Sequence, residues 1–342
     1  MGRATTLNSL WRTFVCCRCR DGSLSGLDDN AGTFLVCNKC NATYRVLDAI
    51  PRFVTSDDYA HSFGMQWRIH QKTQLDSYTG TSISHDRLFA TTKWPTRMEG
   101  RTILEAGCGA GRFTEVLAAT GATVYSFDLS RAVEANYRNN GHHKNVVIFQ
   151  ADIYDIPLPA RSFDLILCLG VLQHCPDPKG AFLNLCRHLA PQGEIVIDVY
   201  HKHFHPIYLI RNITKRLPPA LLYKAISISV PLLLPLKWHM KRVPKVGQSF
   251  ARLIPLYDYK GTYPLNRRLL TAWSVLDTFD GLSPKHTHPQ TLQEIRKWFR
   301  EADLTNVHVS YGLNGITGRG TAVEASAERR KRTSADFHGE QN

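Results

Sequence analysis

Residues 103–113 read ILEAGCGAGRF, an apolar run that closes on Glu105 and opens into glycines at 107, 109 and 111. A strand ending this way, with a helix starting near Arg112, is the first strand–turn–helix unit of a doubly wound α/β sheet. Ligands of such sheets lie against the carboxyl ends of the strands. Glycines there let the backbone turn tightly and let a ligand approach it. A dinucleotide loop needs G-x-G-x-x-G, with the pyrophosphate at the helix N-terminus. Here the spacing is G-x-G-x-G and a carboxylate precedes it. A negative group beside the ligand repels phosphate and suits a cation, such as an ammonium or a sulfonium.

Outward from this turn, apolar segments alternate with helical stretches. TILEA (102–106), TVYSF (123–127), NVVIF (145–149), FDLILCL (163–169) and EIVIDVY (194–200) read as strands, with RFTEVLAAT, RAVEANYRNN and AFLNLCRHLA as helices between them. That alternation predicts a parallel sheet covered on both faces. It breaks at 201 and resumes at Thr291-Leu-Gln-Glu294, a capping box, followed by a helical stripe of Leu292, Ile295 and Trp298/Phe299. VHVSYG (307–312) and GTAVEA (320–325) read as two closing strands. The second strand ends in Asp128, where an acid can accept from both ribose hydroxyls. Asp152 follows the third, in FQADI, placed to meet an adenine amino group. Together these residues describe a pocket for a nucleoside with a positive amino-acid tail and no phosphate.

The same residues resemble the class I S-adenosylmethionine-dependent methyltransferases. EAGCGAG matches that family's first motif, Asp128 its ribose-binding acid and Asp152 its adenine-contacting acid. FDLILCLGVLQHCPDP matches its fourth-strand motif, and LAPQGEIVI the helix–turn–strand after it. The resemblance covers 101–200 and, more weakly, 290–325. It implies a Rossmann-like seven-stranded sheet and S-adenosylmethionine as methyl donor. It also implies that Glu105 and the backbone at Gly107, Gly109 and Gly111 hold the methionine part, Asp128 the ribose, and Asp152 with Ile153 the adenine. His174, in LQH just past the fourth strand, is then the candidate general base; the alternative is a histidine that only shapes the pocket. GVLQ stands where base-amino methyltransferases carry an NPPY-like tetrapeptide, which argues against that acceptor. A non-catalytic scaffold of the same fold is a further alternative, and the intact Glu105, Asp128 and Asp152 argue against it.

Cys16-x2-Cys19 and Cys37-x2-Cys40, with 17 residues between the pairs, have the spacing of a four-cysteine zinc ribbon. So small a module buries little apolar surface, and zinc supplies on the order of 10 kcal/mol of folding energy instead. Four protein ligands fill the coordination sphere, so the metal is expected to be structural. The other cysteines (17, 108, 168, 175 and 186) are scattered through strand-like and helix-like segments, a pattern that suggests a reducing, cytoplasmic setting. Met1–Leu10 lacks the apolar stretch of a secretory signal. MGRATT meets the loose acylation pattern at Gly2, which is commonly met by chance.

The expected organisation is a zinc-ribbon module (1–55), a lead-in (56–100), a methyltransferase domain (101–200 and 290–325), a mainly helical insertion (201–289) and a disordered tail (326–342). In the lead-in, FGMQW (63–67) offers Gln66 and Trp67 as a lid over the cofactor, with a buried Trp67 in a packing helix as the alternative. The insertion holds fourteen Lys or Arg against three acids, most of the chain's net charge of +13. Basic and apolar residues interleave in LIRNITKRL and VPLLLPLKWHMKR. Such a segment can cap the active site, rest on an anionic membrane, or grip a phosphorylated substrate or RNA. Its longest apolar run, AISISVPLLLPL (225–236), contains two prolines and falls short of the roughly 18 residues of a spanning helix, so no transmembrane segment is expected. His201, His203 and His205 could not all reach one ion from an ordinary helix. The acceptor expected first is a small molecule, sugar- or lipid-linked; RNA comes second.

Overall fold

The computed structural model describes residues 3–4, 9–29, 32–54, 60–203, 206–244 and 247–324. The tail 326–342, His205 and Gly2 lie outside the described residues. Strands β1 (Arg3–Ala4), β2 (Leu24–Asp29), β3 (Gly32–Cys37), β4 (Thr43–Leu47) and β5 (Ile50–Pro51) form a five-stranded antiparallel sheet in chain order. Three helices follow: α1 (His61–Ile69), α2 (Asp76–Thr79) and α3 (Ile83–Thr92).

The main sheet contains β6 (Thr102–Ala106), β7 (Thr123–Asp128), β8 (Val146–Gln150), β9 (Phe163–Leu169) and β10 (Leu189–Val199), all parallel. It also holds β11 (Leu304–Gly312) and β12 (Gly315–Ala322), and its order is β11-β12-β10-β9-β6-β7-β8. Helices α4 (Arg112–Ala118), α5 (Val133–Asn140) and α6 (Pro178–Cys186) connect the parallel strands. Strand alternation feeds two cores. Leu104, Tyr125, Phe127 and Ile166 belong to one, and Ile103, Val124, Leu167 and Val196 to the other. From β6 the chain winds outward through β7 and β8, then returns to place β9 and β10 on the opposite side. The direction reverses between β6 and β9, and a ligand crevice opens there.

Two details differ from the sequence reading. The sheet is mixed, because β11 and β12 form a hairpin and β12 runs antiparallel to β10. A hairpin needs no crossover helix. The last strand also starts at Gly315 rather than 320. Its glycines mask its strand character, since a Cβ at Gly318 or Gly320 would come within 2.6 or 2.8 Å of the Phe299 ring on α11 (Leu292–Glu301). The capping box that starts α11 is formed in both directions between Thr291 and Glu294.

Residues 201–289 carry α7 (Pro206–Thr214), α8 (Pro219–Met240), α9 (Gly247–Leu253) and α10 (Arg267–Leu282) around a small core of their own. The apolar run 225–236 is therefore part of a 22-residue helix, with Pro231 and Pro235 inside it. By length and composition alone α8 is long enough to cross a membrane, which corrects the expectation drawn from the shorter run. The prolines do not stop the helix. Pro231 is exposed and Pro235 half-exposed, so the carbonyls they leave unbonded can turn toward water.

The small sheet docks on the open edge of the large one. Phe53 N donates to Gln150 O at 2.8 Å, and the Arg52 guanidinium reaches Gln150 Oε1 at 3.0 Å and pairs with Glu134. Phe14, Phe53 and Phe149 pack ring against ring behind this contact. An edge strand left bare is a template for unwanted pairing; here β8 is covered.

Candidate active site

A cavity of about 1140 Å³ lies at the carboxyl ends of β6, β7, β9 and β10, closed by α1, α10 and the 257–264 loop. One wall is the glycine turn. Gly109 has φ +54°, a conformation that favours glycine, and a Cβ there would stand 3.0 Å from the Trp67 indole, a tight contact that the bare backbone avoids. Gly109 N donates to Asp128 Oδ2 at 3.0 Å, while the Ser130 amide and hydroxyl donate to Oδ1 at 2.8 and 2.7 Å. Burial pushes the Asp128 pKa up, and these hydrogen bonds pull it back.

Of the residues singled out in the sequence, Gly107, Gly109, Asp128, Ile153 and His174 line this cavity, as do Gln66 and Trp67. Glu105, Gly111 and Asp152 do not. Glu105 lies behind the glycine turn. It points to the α4 face, where Thr114 and Ser126 donate to its carboxylate at 2.6 and 2.8 Å, and burial raises its pKa to about 7. It braces the loop from behind. Gly111 takes φ +89° at the start of α4, and its Cα faces the Asn136 side chain rather than the cavity. Asp152 is half-buried beside the cavity and accepts from Tyr154 N at 3.0 Å.

The opposite wall comes from the insertion and β10. His174 ends a short 3-10 turn, Leu172–His174, and is buried between the Phe63 and Tyr200 rings. Its Nδ1 is 3.2 Å from the His286 carbonyl. A carbonyl only accepts, so Nδ1 carries the proton and Nε2 keeps its lone pair. Nε2 has no hydrogen-bond partner among the described residues and stands 3.9 Å from Asp280 Oδ2. Burial lowers the His174 pKa to about 4, so the ring is a neutral base at physiological pH. Asp280 accepts from Tyr200 Oη at 3.0 Å, and Asp277 from the Tyr259 hydroxyl. Burial raises both carboxyl pKa values to about 6.

Two guanidinium groups complete this end. Arg87 pairs with the buried Asp198 at 2.9 Å. Arg112 bonds Gln74 Oε1 at 2.9 Å and lies over the Phe113 and Trp273 rings. The sequence reading missed Asp277, Asp280, Tyr200, Tyr259, Arg87 and Arg112. One signal was available: Asp277 and Asp280 stand three apart, one helical turn, and are two of the three acids in an otherwise basic segment. Of the histidine run, His201 and His203 stack on each other at the cavity rim.

The four cysteines of the small sheet converge, with all Sγ atoms within 4.8 Å of one another. The Cys16–Cys40 and Cys19–Cys37 sulfurs are 3.5 and 3.6 Å apart. Thiolates at 2.3 Å from one centre in a tetrahedron sit about 3.8 Å apart. The Lys39 and Cys40 amides point at Cys37 Sγ (3.4 and 3.5 Å), as donors to a thiolate do. A Cβ at Gly22 would fall 2.2 Å from Cys37 Sγ, so the cradle needs glycine there. This donor set fits zinc.

Residues 76–309 match the family model described as "Methyltransferase domain". The chain is 30% identical over 109 residues to the ubiquinone biosynthesis O-methyltransferase of Coxiella burnetii, covering 31% of this chain and 47% of that protein. It is 28% identical over 116 residues to the enzyme of the same name from Aromatoleum aromaticum, with the same coverage. The chain thus spans about half the length of the curated relatives it matches. Among solved structures, an S-adenosylmethionine dependent methyltransferase from Mesorhizobium loti aligns at 19% identity with a TM-score of 0.39, covering 67% of this chain and 93% of that one.

Proposed function

We propose that this chain, which belongs to the methyltransferase-domain family, uses S-adenosylmethionine to methylate a hydroxyl oxygen of a small acceptor, sugar- or lipid-linked. The observation that carries this reading is the unpartnered Nε2 of a neutral His174 in the wall opposite the glycine turn. The names of the O-methyltransferase relatives agree with an oxygen acceptor. The cavity volume of about 1140 Å³ suits a nucleoside donor together with a small acceptor.

The donor would supply an electrophilic methyl group on a sulfonium sulfur, which would keep the electron pair of the broken carbon–sulfur bond and leave as a neutral thioether. Asp128, held by Gly109 and Ser130, accepts from the ribose hydroxyls. Ile153 flanks the adenine and Trp67 closes over the turn; Asp152 and Glu105 act from outside the lining. At the other wall the acceptor hydroxyl gives its proton to His174 Nε2 as its oxygen bonds the methyl carbon. Tyr200 and Asp280 hold the imidazole edge-on, and Asp280 steadies the imidazolium that results. Alignment of oxygen, carbon and sulfur contributes roughly 7–11 kcal/mol in well-oriented reactions. The four cysteines would hold a structural zinc as thiolates, and such a site suits a reducing, cytoplasmic setting.

The test is methyl-labelled donor with the purified chain and separate lipid, small-molecule and RNA fractions of cell extract. Label in a lipid or small-molecule hydroxyl, absent with Asp128→Ala, supports the reading. Label confined to RNA replaces it with the second reading, which the acid-free basic stretch 201–257 favours.

A further inference from the structure

Helix α8 is apolar on both sides. Leu222, Ile226, Val230 and Leu234 form one stripe and are buried in the insertion core, with Val275, Phe279 and Leu282 of α10. Leu221, Ile228, Leu232 and Leu236 recur at the same period on the opposite side and are exposed, Leu232 by 70%. Only 22% of the helix's most apolar window is buried. A helix of this kind is found in a large core or against lipid. The neighbouring helix α7, which also packs on α10, leaves Leu209 and Ile213 exposed in the same way. Exposed apolar surface on this scale marks a docking face.

Charge identifies what covers it. From His201 to Tyr257 there is no Asp or Glu, against ten Lys or Arg. Lys215 and Arg216 lie exposed in the α7–α8 turn, Lys224 beside the outward stripe and Arg242 just past the end of α8. A protein partner with an apolar groove would not call for cations at both ends of the stripe; anionic headgroups around an acyl interior do.

We propose that the outer face of α7 and α8 docks on an anionic lipid bilayer, with Leu221, Ile228, Leu232 and Leu236 in the acyl boundary and Lys215, Arg216, Lys224 and Arg242 among the headgroups. The helix lies in the interface rather than spanning it. Its other stripe is occupied by α10, and Lys237 on that side donates to the Ile254 and Leu256 carbonyls at 3.1 and 2.6 Å. The docking is independent of which acceptor is methylated.

The experiment is flotation of the full chain with phosphatidylcholine vesicles, with and without about 30% phosphatidylglycerol. Wild type floats with the anionic vesicles, and added salt weakens the binding. The double variant Ile228→Asp/Leu232→Asp and the double variant Lys215→Glu/Arg216→Glu each bind about tenfold more weakly or worse. Both replace exposed side chains, and unchanged melting temperature and donor affinity verify their fold. Three results overturn the proposal: no flotation, equal flotation with neutral and anionic vesicles, or undiminished binding by both variants. A fourth is a wild-type dimer in sedimentation velocity that Ile228→Asp/Leu232→Asp splits into monomers, which would assign the face to a second copy of the chain.

Discussion

On the sheet side of the cavity, Asp128 is held by backbone and near neighbours, through Gly109 N, Ser130 N and Ser130 Oγ. On the insertion side, Asp280 and Asp277 are held by tyrosines from other elements: Tyr200 at the end of the sheet and Tyr259 in the loop before α10. A wall made of main chain is set by the fold and suits a ligand common to every turnover. A wall made of side chains on an inserted helix can be re-cut by substitution without disturbing the sheet. The division fits a fixed donor and a variable acceptor.

Removal of the metal gives the largest effect expected, and it tests whether the sheet wall stands without its N-terminal support. Chelation, or Cys19→Ser, should withdraw on the order of 10 kcal/mol from the ribbon. Calorimetry should then show the ribbon melting separately, with one zinc released per chain, while the main sheet persists. The next test breaks the acceptor wall alone. His174→Ala should lower kcat by roughly 10²–10⁴, with donor affinity by titration calorimetry within about twofold of wild type. The reciprocal test breaks the donor wall. Asp128→Ala should weaken donor binding by about 2–3 kcal/mol, the scale of a charge-assisted hydrogen bond.

The smallest effect concerns pH. Asp277 and Asp280 titrate near 6 in the folded chain, above their ordinary value of 3.8. The native state therefore binds more protons than the unfolded state between those values, and these acids subtract stability as pH rises from about 4 to 6. His174, depressed from 6.5 to about 4, adds stability as pH rises over an overlapping range and partly cancels them. Asp280→Asn should remove one of the two acidic contributions, so its melting temperature should fall less between pH 4 and 6 than that of wild type. The rate of the variant should also depend less on pH near 6 than that of wild type.

What could be read from the sequence was local. The glycine turn with Asp128, the paired CxxC knuckles and the Thr291–Glu294 capping box are each written within a few residues, and each formed. What escaped was decided by partners distant in the chain. Asp280 acquires its meaning from Tyr200 and His174, and Gly318 belongs in a strand because the Phe299 ring packs where a Cβ would stand. Glu105 falls between these cases. Strand parity puts it on the side of Ile103, toward α4, and Thr114 and Ser126 then claim the carboxylate. The prolines of α8 misled because their cost depends on whether the freed carbonyls meet water, which periodicity does not report.

Helix α10 gives Trp273, Asp277 and Asp280 to the cavity and Val275, Phe279 and Leu282 to the underside of α8. Helix α10 thus lies between the buried stripe of α8 and the carboxylates of the cavity. Because packed interiors transmit displacement rather than absorb it, a shift of α8 on contact with another surface is expected to be felt at Asp277 and Asp280 through that one helix.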